Sequence, residues 1–224
     1  MIRQIVEVAR KDLLIEWRSP SRVAGLFFFA LVLVVLVAFT ADASTSVLRK
    51  TAGGALWLGL LLASARSLDL SWAVETDNDA LTGMVLWPVH PAAMFYGKAL
   101  ANTAVLFLVG IALTPLVIAM YNAPIVGPWS QFLAVLVLGG AALAAPGTFY
   151  ALLTTRARAS SVLLPLLMFP LVVPALLAAS RATSLLMEGD AMGEVQSWLA
   201  LLLAFDVLHW SLDGLFFGLI VEEK

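Results

Sequence analysis

Three groups of charged residues in this chain could do chemistry. Asp206, His209 and Asp213 fall at i, i+3 and i+7, on one face of a helix. A histidine flanked by two carboxylates can relay a proton or offer ligands to a metal or haem iron. Two carboxylates and one histidine do not complete a metal site by themselves. The same face also reads as a polar strip buried against another helix or subunit. Arg66 and Asp69 lie three residues apart on another helix. They read as a mutual ion pair near a membrane interface or as part of an ion pathway. The third group is Glu75-Thr76-Asp77-Asn78-Asp79, three carboxylates in five residues, which reads as a docking surface for a partner.

The elements that must position these groups are oily. Of 224 residues, 62% are hydrophobic and 12% charged, and the mean hydropathy is +0.97. Residues 23–40 carry no charge, a stretch long enough to span a bilayer. Further apolar runs predict spans at about 52–72, 99–120, 131–153, 161–180 and 197–221, six in all. Ala41-Asp42-Ala43 has the form of a cleavage site, but the polar lead and apolar core before it exceed those of a signal peptide, so the first span is expected to stay. Residues 1–22 are different. Ile2, Ile5, Val6, Ala9 and Leu13 recur at helical spacing with basic residues on other faces, predicting an amphipathic helix along the membrane interface that breaks near Pro20.

Little chain remains outside the spans, too little for an extramembrane catalytic domain. The absence of cysteine excludes a disulfide framework and a thiolate metal site. With a net charge of −2 and no basic surface domain, nucleic acid is not an expected partner. No Gly-x-x-x-x-Gly-Lys-Ser/Thr loop, His-Glu-x-x-His or Gly-x-Ser-x-Gly occurs, so the chain is not itself a standard ATPase and nothing marks an intramembrane enzyme.

Lysine and arginine distribution sets the expected orientation. With the N-terminus inside, ten of the 13 basic residues lie at the inner side, leaving Arg49, Lys50 and Arg181 outside. Both termini and residues 72–98 are then cytoplasmic. The outer stretch 181–196, with Glu188, Gly189, Asp190 and Glu194, is expected to form a short surface helix. His90, between Pro88 and Pro91, is expected in an extended, solvated turn with no ligand role. Pro115, Pro146, Pro165, Pro170 and Pro174 fall within predicted spans and are expected to kink them. Gly139-Gly140-Ala141-Ala142, with Ala144 and Ala145, offers a smooth face for close helix packing.

Four stretches together resemble the haem exporter protein B (CcmB) family, the membrane subunit of an ABC-type complex in bacterial cytochrome c maturation. Arg10-Lys11-Asp12-Leu13-Leu14-Ile15-Glu16-Trp17-Arg18 is similar to the family's opening helix. Residues 72–98 match its loop between spans two and three, including Glu75, Leu81, Pro88 and Lys98. Ala145-Pro146-Gly147 resembles an Ala-Pro-Gly in span four, and Pro170 with Pro174 a Pro-x-x-x-Pro in span five. Two departures stand out. Trp72 is followed by Ala73 and Val74 where the family has a charged run, and Asp79-Ala80-Leu81-Thr82 replaces a Gly-x-Leu-Glu.

The resemblance implies an all-α integral membrane protein with six transmembrane helices and an N-terminal interfacial helix, an ABC-2-like exporter permease. It implies a multi-pass protein of the bacterial cytoplasmic membrane. A separate ATPase subunit would dock on residues 72–98, with Trp72, Glu75, Asp77, Asp79, Leu81, Pro88, Pro91 and Lys98 as docking and coupling residues. ATP and magnesium would sit on that partner, haem would be handled by the complex, and this chain would bind no cofactor. The C and D subunits and the haem chaperone E are the further partners implied, with ATP hydrolysis releasing the haem-loaded chaperone. A homodimer, or a pseudo-dimer with another subunit, would face the ATPase pair. The chain itself lacks the tryptophan-rich haem motif expected of the C subunit, and a single histidine, His209, falls within a predicted span. Two other readings fit the residues: a permease of another ABC-2 exporter, for a drug, lipid or polysaccharide, and an ion or proton channel using Arg66, Asp69, Asp206, His209 and Asp213.

Overall fold

The computed structural model describes residues 1–40, 45–76, 90–156 and 163–222. Within them the chain is all-helical: α1 (Ile2–Arg18), α2 (Pro20–Thr40), α3 (Thr45–Thr76), α4 (Pro91–Tyr121), α5 (Trp129–Arg156), α6 (Leu163–Glu188) and α7 (Val195–Glu222). Five of these, α2, α4, α5, α6 and α7, are long and apolar enough to cross a membrane. The expected second span corresponds to α3, which is 32 residues long but carries Arg66 and Asp69 in its apolar stretch. It packs against α2, α4, α5 and α6, and most of 52–68 is buried. A helix walled by protein on most sides needs less lipid-compatible surface.

The core forms around α3 and α5. Helix α5 touches α3, α4, α6 and α7, and residues 139–148 are buried without a break. Small residues make that enclosure geometrically feasible. Gly139 lies under the ring of Trp57, and Gly147 under Leu68, where an added Cβ would collide. The Trp57 Nε1–H donates to Thr183 Oγ1 at 2.9 Å, in the interior. Outward-facing side chains are apolar as well, among them Phe28, Val32 and Leu36 on α2 and Leu166, Val173 and Leu177 on α6. A protein dissolved in lipid has this distribution, since hydrocarbon lies on both sides of the surface.

The helix ends revise several expectations. The amphipathic helix stops at Arg18 and the backbone breaks at Ser19 (φ −121°, ψ 63°). Pro20 is the first residue of α2, a position where its missing N–H is no loss. The segment expected to link spans two and three is partly helix, since α3 runs to Thr76 and α4 starts at Pro91. No separate surface helix forms in 181–196: α6 continues to Glu188, and Gly189 (φ 103°) and Gly193 (φ 70°) turn the chain. The Asp190 carboxylate then accepts from the N–H groups of Glu194 and Val195 at 2.8 and 3.0 Å, capping α7. Helices α4, α5 and α6 run through Pro115, Pro146, Pro170 and Pro174, whereas Pro165 sits in the first turn of α6, where it costs no hydrogen bond.

Side chains and backbone carbonyls close the bundle at the end remote from α1. The Tyr121 hydroxyl donates to Val34 O at 2.7 Å and Arg49 Nε–H to Asn122 O at 3.1 Å. The Val126 and Gly127 N–H groups both donate to Leu186 O at 2.9 Å.

The packing at Gly139 is testable. Gly139→Val should lower stability by about 1–3 kcal/mol through overpacking against Trp57. Gly25→Ala should cost nothing, because a Cβ there meets no atom within 4 Å. Thermal unfolding of the two variants in detergent, followed by tryptophan fluorescence, distinguishes them. Equal midpoints would contradict the Gly139–Trp57 contact.

Candidate coupling site

A lysine opens the site. Lys98 lies two turns into α4 and is 1% exposed. An ammonium buried among apolar helices requires an opposite charge, and Asp12 of α1 supplies it. Lys98 Nζ is 3.1 Å from Asp12 Oδ2, while Lys11 reaches Asp12 Oδ1 at 3.1 Å. The same Nζ stands 4.6 Å from the centroid of the Trp72 ring, close enough for a cation–π attraction.

Trp72 carries the junction into α5 and α7. Fully buried near the end of α3, it donates its Nε1–H to Thr148 O at 3.2 Å. Thr148 Oγ1 accepts in turn from Asn102 Nδ2 at 3.1 Å. The Trp72 ring centroid is 6.0 Å from that of Phe217, and Phe217 is 5.5 Å from Phe95. The close approach of α1 to α4 depends on Gly97, where a Cβ would sit 2.6 Å from the Val8 side chain. Pro91 occupies the first turn of α4 behind His90, whose Nδ1 accepts from Ala92 N–H at 3.3 Å. His90 is exposed and works as an N-cap.

A second ionic contact holds the α1–α2 joint. Arg22 Nη1 is 3.7 Å from Glu16 Oε1, and the other Glu16 oxygen is buried without a hydrogen-bond partner among the described residues. Burial pushes the Glu16 carboxyl above its ordinary range and nearby Asp12 adds to this, while Arg22 opposes it.

The residues expected in docking thus separate. Trp72 and Lys98 come together, but inside the protein, where they offer no surface to a partner. Glu75 falls in the last turns of α3. Asp77, Asp79, Leu81 and Pro88 lie outside the described residues. Asp12, Asn102 and Thr148 were not expected in the site. The available signal was a lysine near the start of an apolar run, which demands a carboxylate, and one facing it from the amphipathic helix.

The polar face of α7 is also internal. Asp206, His209 and Asp213 are 6%, 8% and 8% exposed. His209 Nδ1 stands 3.6 Å from Asp213 Oδ2, too far for a hydrogen bond. The imidazole packs on Phe205 at 4.3 Å between centroids. Asp206 stays apart, with neither oxygen hydrogen-bonded among the described residues. Helix α7 packs on α4, α5 and α6, so this strip is buried against other helices, and Trp210 beside it donates to Ala141 O at 3.4 Å. Arg66 lies apart from both sites, exposed on α3. The backbone of Asp69 is helical, one turn further on.

Comparison with known proteins identifies the family. The family model described as CcmB protein matches residues 3–219. A relative named "Heme exporter protein B" from Rhodobacter capsulatus is 36% identical over 169 residues, covering 75% of this chain and 76% of that protein. The protein of the same name from Paracoccus denitrificans is 31% identical over 173 residues, 77% and 78% of the two chains. That from Pseudomonas aeruginosa is 28% identical over 189 residues, 84% of each. A match that runs from α1 into α7 takes in every element of the junction, and the chain belongs to the CcmB protein family.

Proposed function

We propose that this chain is the membrane permease subunit of an ABC-type haem exporter serving cytochrome c maturation. Family membership supports the role, and the Lys98–Asp12 pair over Trp72 is the observation that carries the coupling mechanism. The pair ties α1 to the start of α4 and the end of α3, the two helices that flank residues 77–89.

In this reading a separate ATPase subunit docks on residues 72–98 and binds ATP and magnesium. The carboxylates of Glu75, Asp77 and Asp79, with Leu81, Pro88 and Pro91, form the docking surface. Trp72 and Lys98 act from inside by fixing the ends of that segment, so that a push on it moves α3 and α4 together. The proline-containing α5 and α6 relay the motion toward the far side, through Pro146, Pro170 and Pro174. Haem is handled by the complex, with the C and D subunits and the chaperone E as further partners, and this chain holds no cofactor. A second copy completes the pair that faces the ATPase dimer.

The fold that this requires is ABC-2-like, with α3 as a sixth span. At 1.5 Å per residue its 32 residues reach about 48 Å, more than the roughly 30 Å hydrocarbon core. The burial of its sides supports the assignment despite its charges. The excess of basic residues at the α1 end supports a cytoplasmic location for that end and for both termini, in the bacterial inner membrane.

Two experiments test the coupling. The triple variant Glu75→Gln, Asp77→Asn, Asp79→Asn should co-purify less ATPase and lose cytochrome c maturation, with membrane insertion unchanged. Normal ATPase recovery would refute docking on these carboxylates. Lys98→Met leaves Asp12 with Lys11 as its cation, so the loss should be smaller than the about 3–5 kcal/mol of a buried charge left wholly unpaired. Faster hydrogen exchange in α1 is expected, and adding Asp12→Asn should restore most of the protection. If α1 exchanges equally in the wild type and Lys98→Met, the pair does not hold the helix.

A further inference from the structure

Helix α7 carries a concentration of unsatisfied polar atoms that the coupling junction does not use. Both oxygens of Asp206, His209 Nδ1 and Asp213 Oδ2 are buried with no hydrogen-bond partner among the described residues. All three residues are more than nine-tenths enclosed. Asp206 is the twelfth of the 28 residues of α7, about 17 Å along the helix and near the middle of a roughly 30 Å hydrocarbon core. A carboxylate enclosed there requires one positive charge.

The surrounding helices do not bring that charge to Asp206. Helix α7 itself contains no lysine or arginine, and it packs on α4, α5 and α6. On α6 the ionisable residues are Arg181 and Glu188. Arg181 reaches Glu194 at 3.9 Å, twelve residues or about 18 Å before Asp206. On α5 they are Tyr150 and Arg156. Arg156 ends that helix, about 22 Å past Ala141, whose carbonyl faces Trp210. On α4 they are Tyr96, Lys98 and Tyr121; Lys98 reaches Asp12 and Tyr121 donates to Val34 O. Helix α3 meets α7 where Trp72 faces Phe217, eleven residues past Asp206, and its Arg66 is exposed. Among the described residues no group of three His, Asp or Glu could hold a metal ion. A hard metal cation takes about six ligands, whereas a proton takes one.

We propose that Asp206 is a proton-binding residue inside the membrane domain, loaded through His209 and Asp213 from the end of α7 where Phe217 meets Trp72. The three residues share one face, so each step is one helical turn. His209 Nδ1 is 3.6 Å from Asp213 Oδ2, a gap that tightens when a proton passes. Two phenols stand beyond: Tyr150, within electrostatic reach of Asp213, and Tyr96, stacked on Trp210 with its hydroxyl against Gly214. Each of these groups can accept and give a proton. The ligand is a single proton from water, which adds to a carboxylate oxygen of Asp206; nothing is oxidised or reduced. A motion that wets Asp206 releases it again, so the packing of α7 and the occupancy of the site are linked.

Infrared spectroscopy of the full chain reconstituted in lipid reads the proton directly. At neutral pH the wild type should show the C=O stretch of a buried protonated carboxyl, moving to lower frequency in D2O. Asp206→Asn, neutral and of the same shape, should lose that band while keeping its helical content and thermal midpoint. The difference between the two spectra separates Asp206 from Glu16, whose burial also favours the neutral form. As pH rises, the wild-type midpoint should fall relative to that of Asp206→Asn, because the native state then surrenders a proton that the unfolded state has already released. His209→Phe should keep the band and slow its exchange into D2O by about tenfold or more. A wild type without the band, a band that survives Asp206→Asn, or an Asp206→Asn chain that no longer folds overturns the proposal. So does an ionised carboxylate band that shifts when sodium is exchanged for potassium, which would assign the site to a metal cation. Exchange at the wild-type rate in His209→Phe removes the assigned route.

Discussion

An ammonium group cannot be enclosed by apolar helices without a counter-charge, and one end of this molecule is organised by how Lys98 meets that condition. Asp12 on α1 is a partner, from a helix with little other buried surface. Val8 is the one buried apolar residue of α1, so the ionic contact supplies what hydrophobic packing does not. The Trp72 face then shields the ammonium from above, and the tryptophan N–H finds a backbone carbonyl on α5. A buried ion pair of this kind is a weak source of net stability, because both ions lose their hydration. Its effect is on position: α1 can dock on α4 in one register, the one that brings Asp12 to Lys98.

The same reasoning accounts for the uneven enclosure of the spans. Helix α2 buries Leu26, Ala30 and Val34 among 21 residues, while α5 is enclosed over ten consecutive ones. In lipid, apolar burial gives helices little reason to associate, so contact depends on how closely backbones approach. At α5 the glycines at 139 and 147 receive Trp57 and Leu68. At α2 the approach is made by Gly59 of α3, where a Cβ would be 3.1 Å from Ala30 O. One such contact seats a peripheral helix, whereas several from different sides make a central one.

Much of this was legible in the chain, for identifiable reasons. Spans α2, α4, α5, α6 and α7 announce themselves through uninterrupted hydropathy, and the small-residue run from Gly139 marks the helix that ends up enclosed. The amphipathic pattern of residues 2–13 located α1 without giving the face that meets the protein. Ile2, Val6 and Leu13 are exposed, and the face toward the protein is instead the one with Val8, Asp12 and Glu16. Periodicity reports an apolar stripe without saying whether lipid or protein covers it. The helices also run past the predicted spans, because a hydropathy window stops at the last apolar residue while hydrogen bonding continues. Thus α4 begins at Pro91, eight residues before the predicted span, and takes Lys98 inside. Pairing between Asp12 and Lys98, 86 positions apart, is a tertiary fact with no local trace.

The two ionic contacts of α1 differ in a way that bears on mechanism. At Asp12 the pair is close, buried and backed by an aromatic face; at Glu16 it is loose, at 3.7 Å, with one carboxylate oxygen lacking a partner. In the proposed coupling, a push on the segment between α3 and α4 would meet the first contact as a fixed point, since moving Lys98 away from Asp12 gives up a close contact of a buried ammonium. The second contact and the non-helical Ser19 beside it resist much less. In that coupling, displacement would be taken up at the α1–α2 joint, with α2 following. Under the same proposal, the strongly packed α3–α5 core would move as one body beneath it and turn a local push into a change between the outer helices.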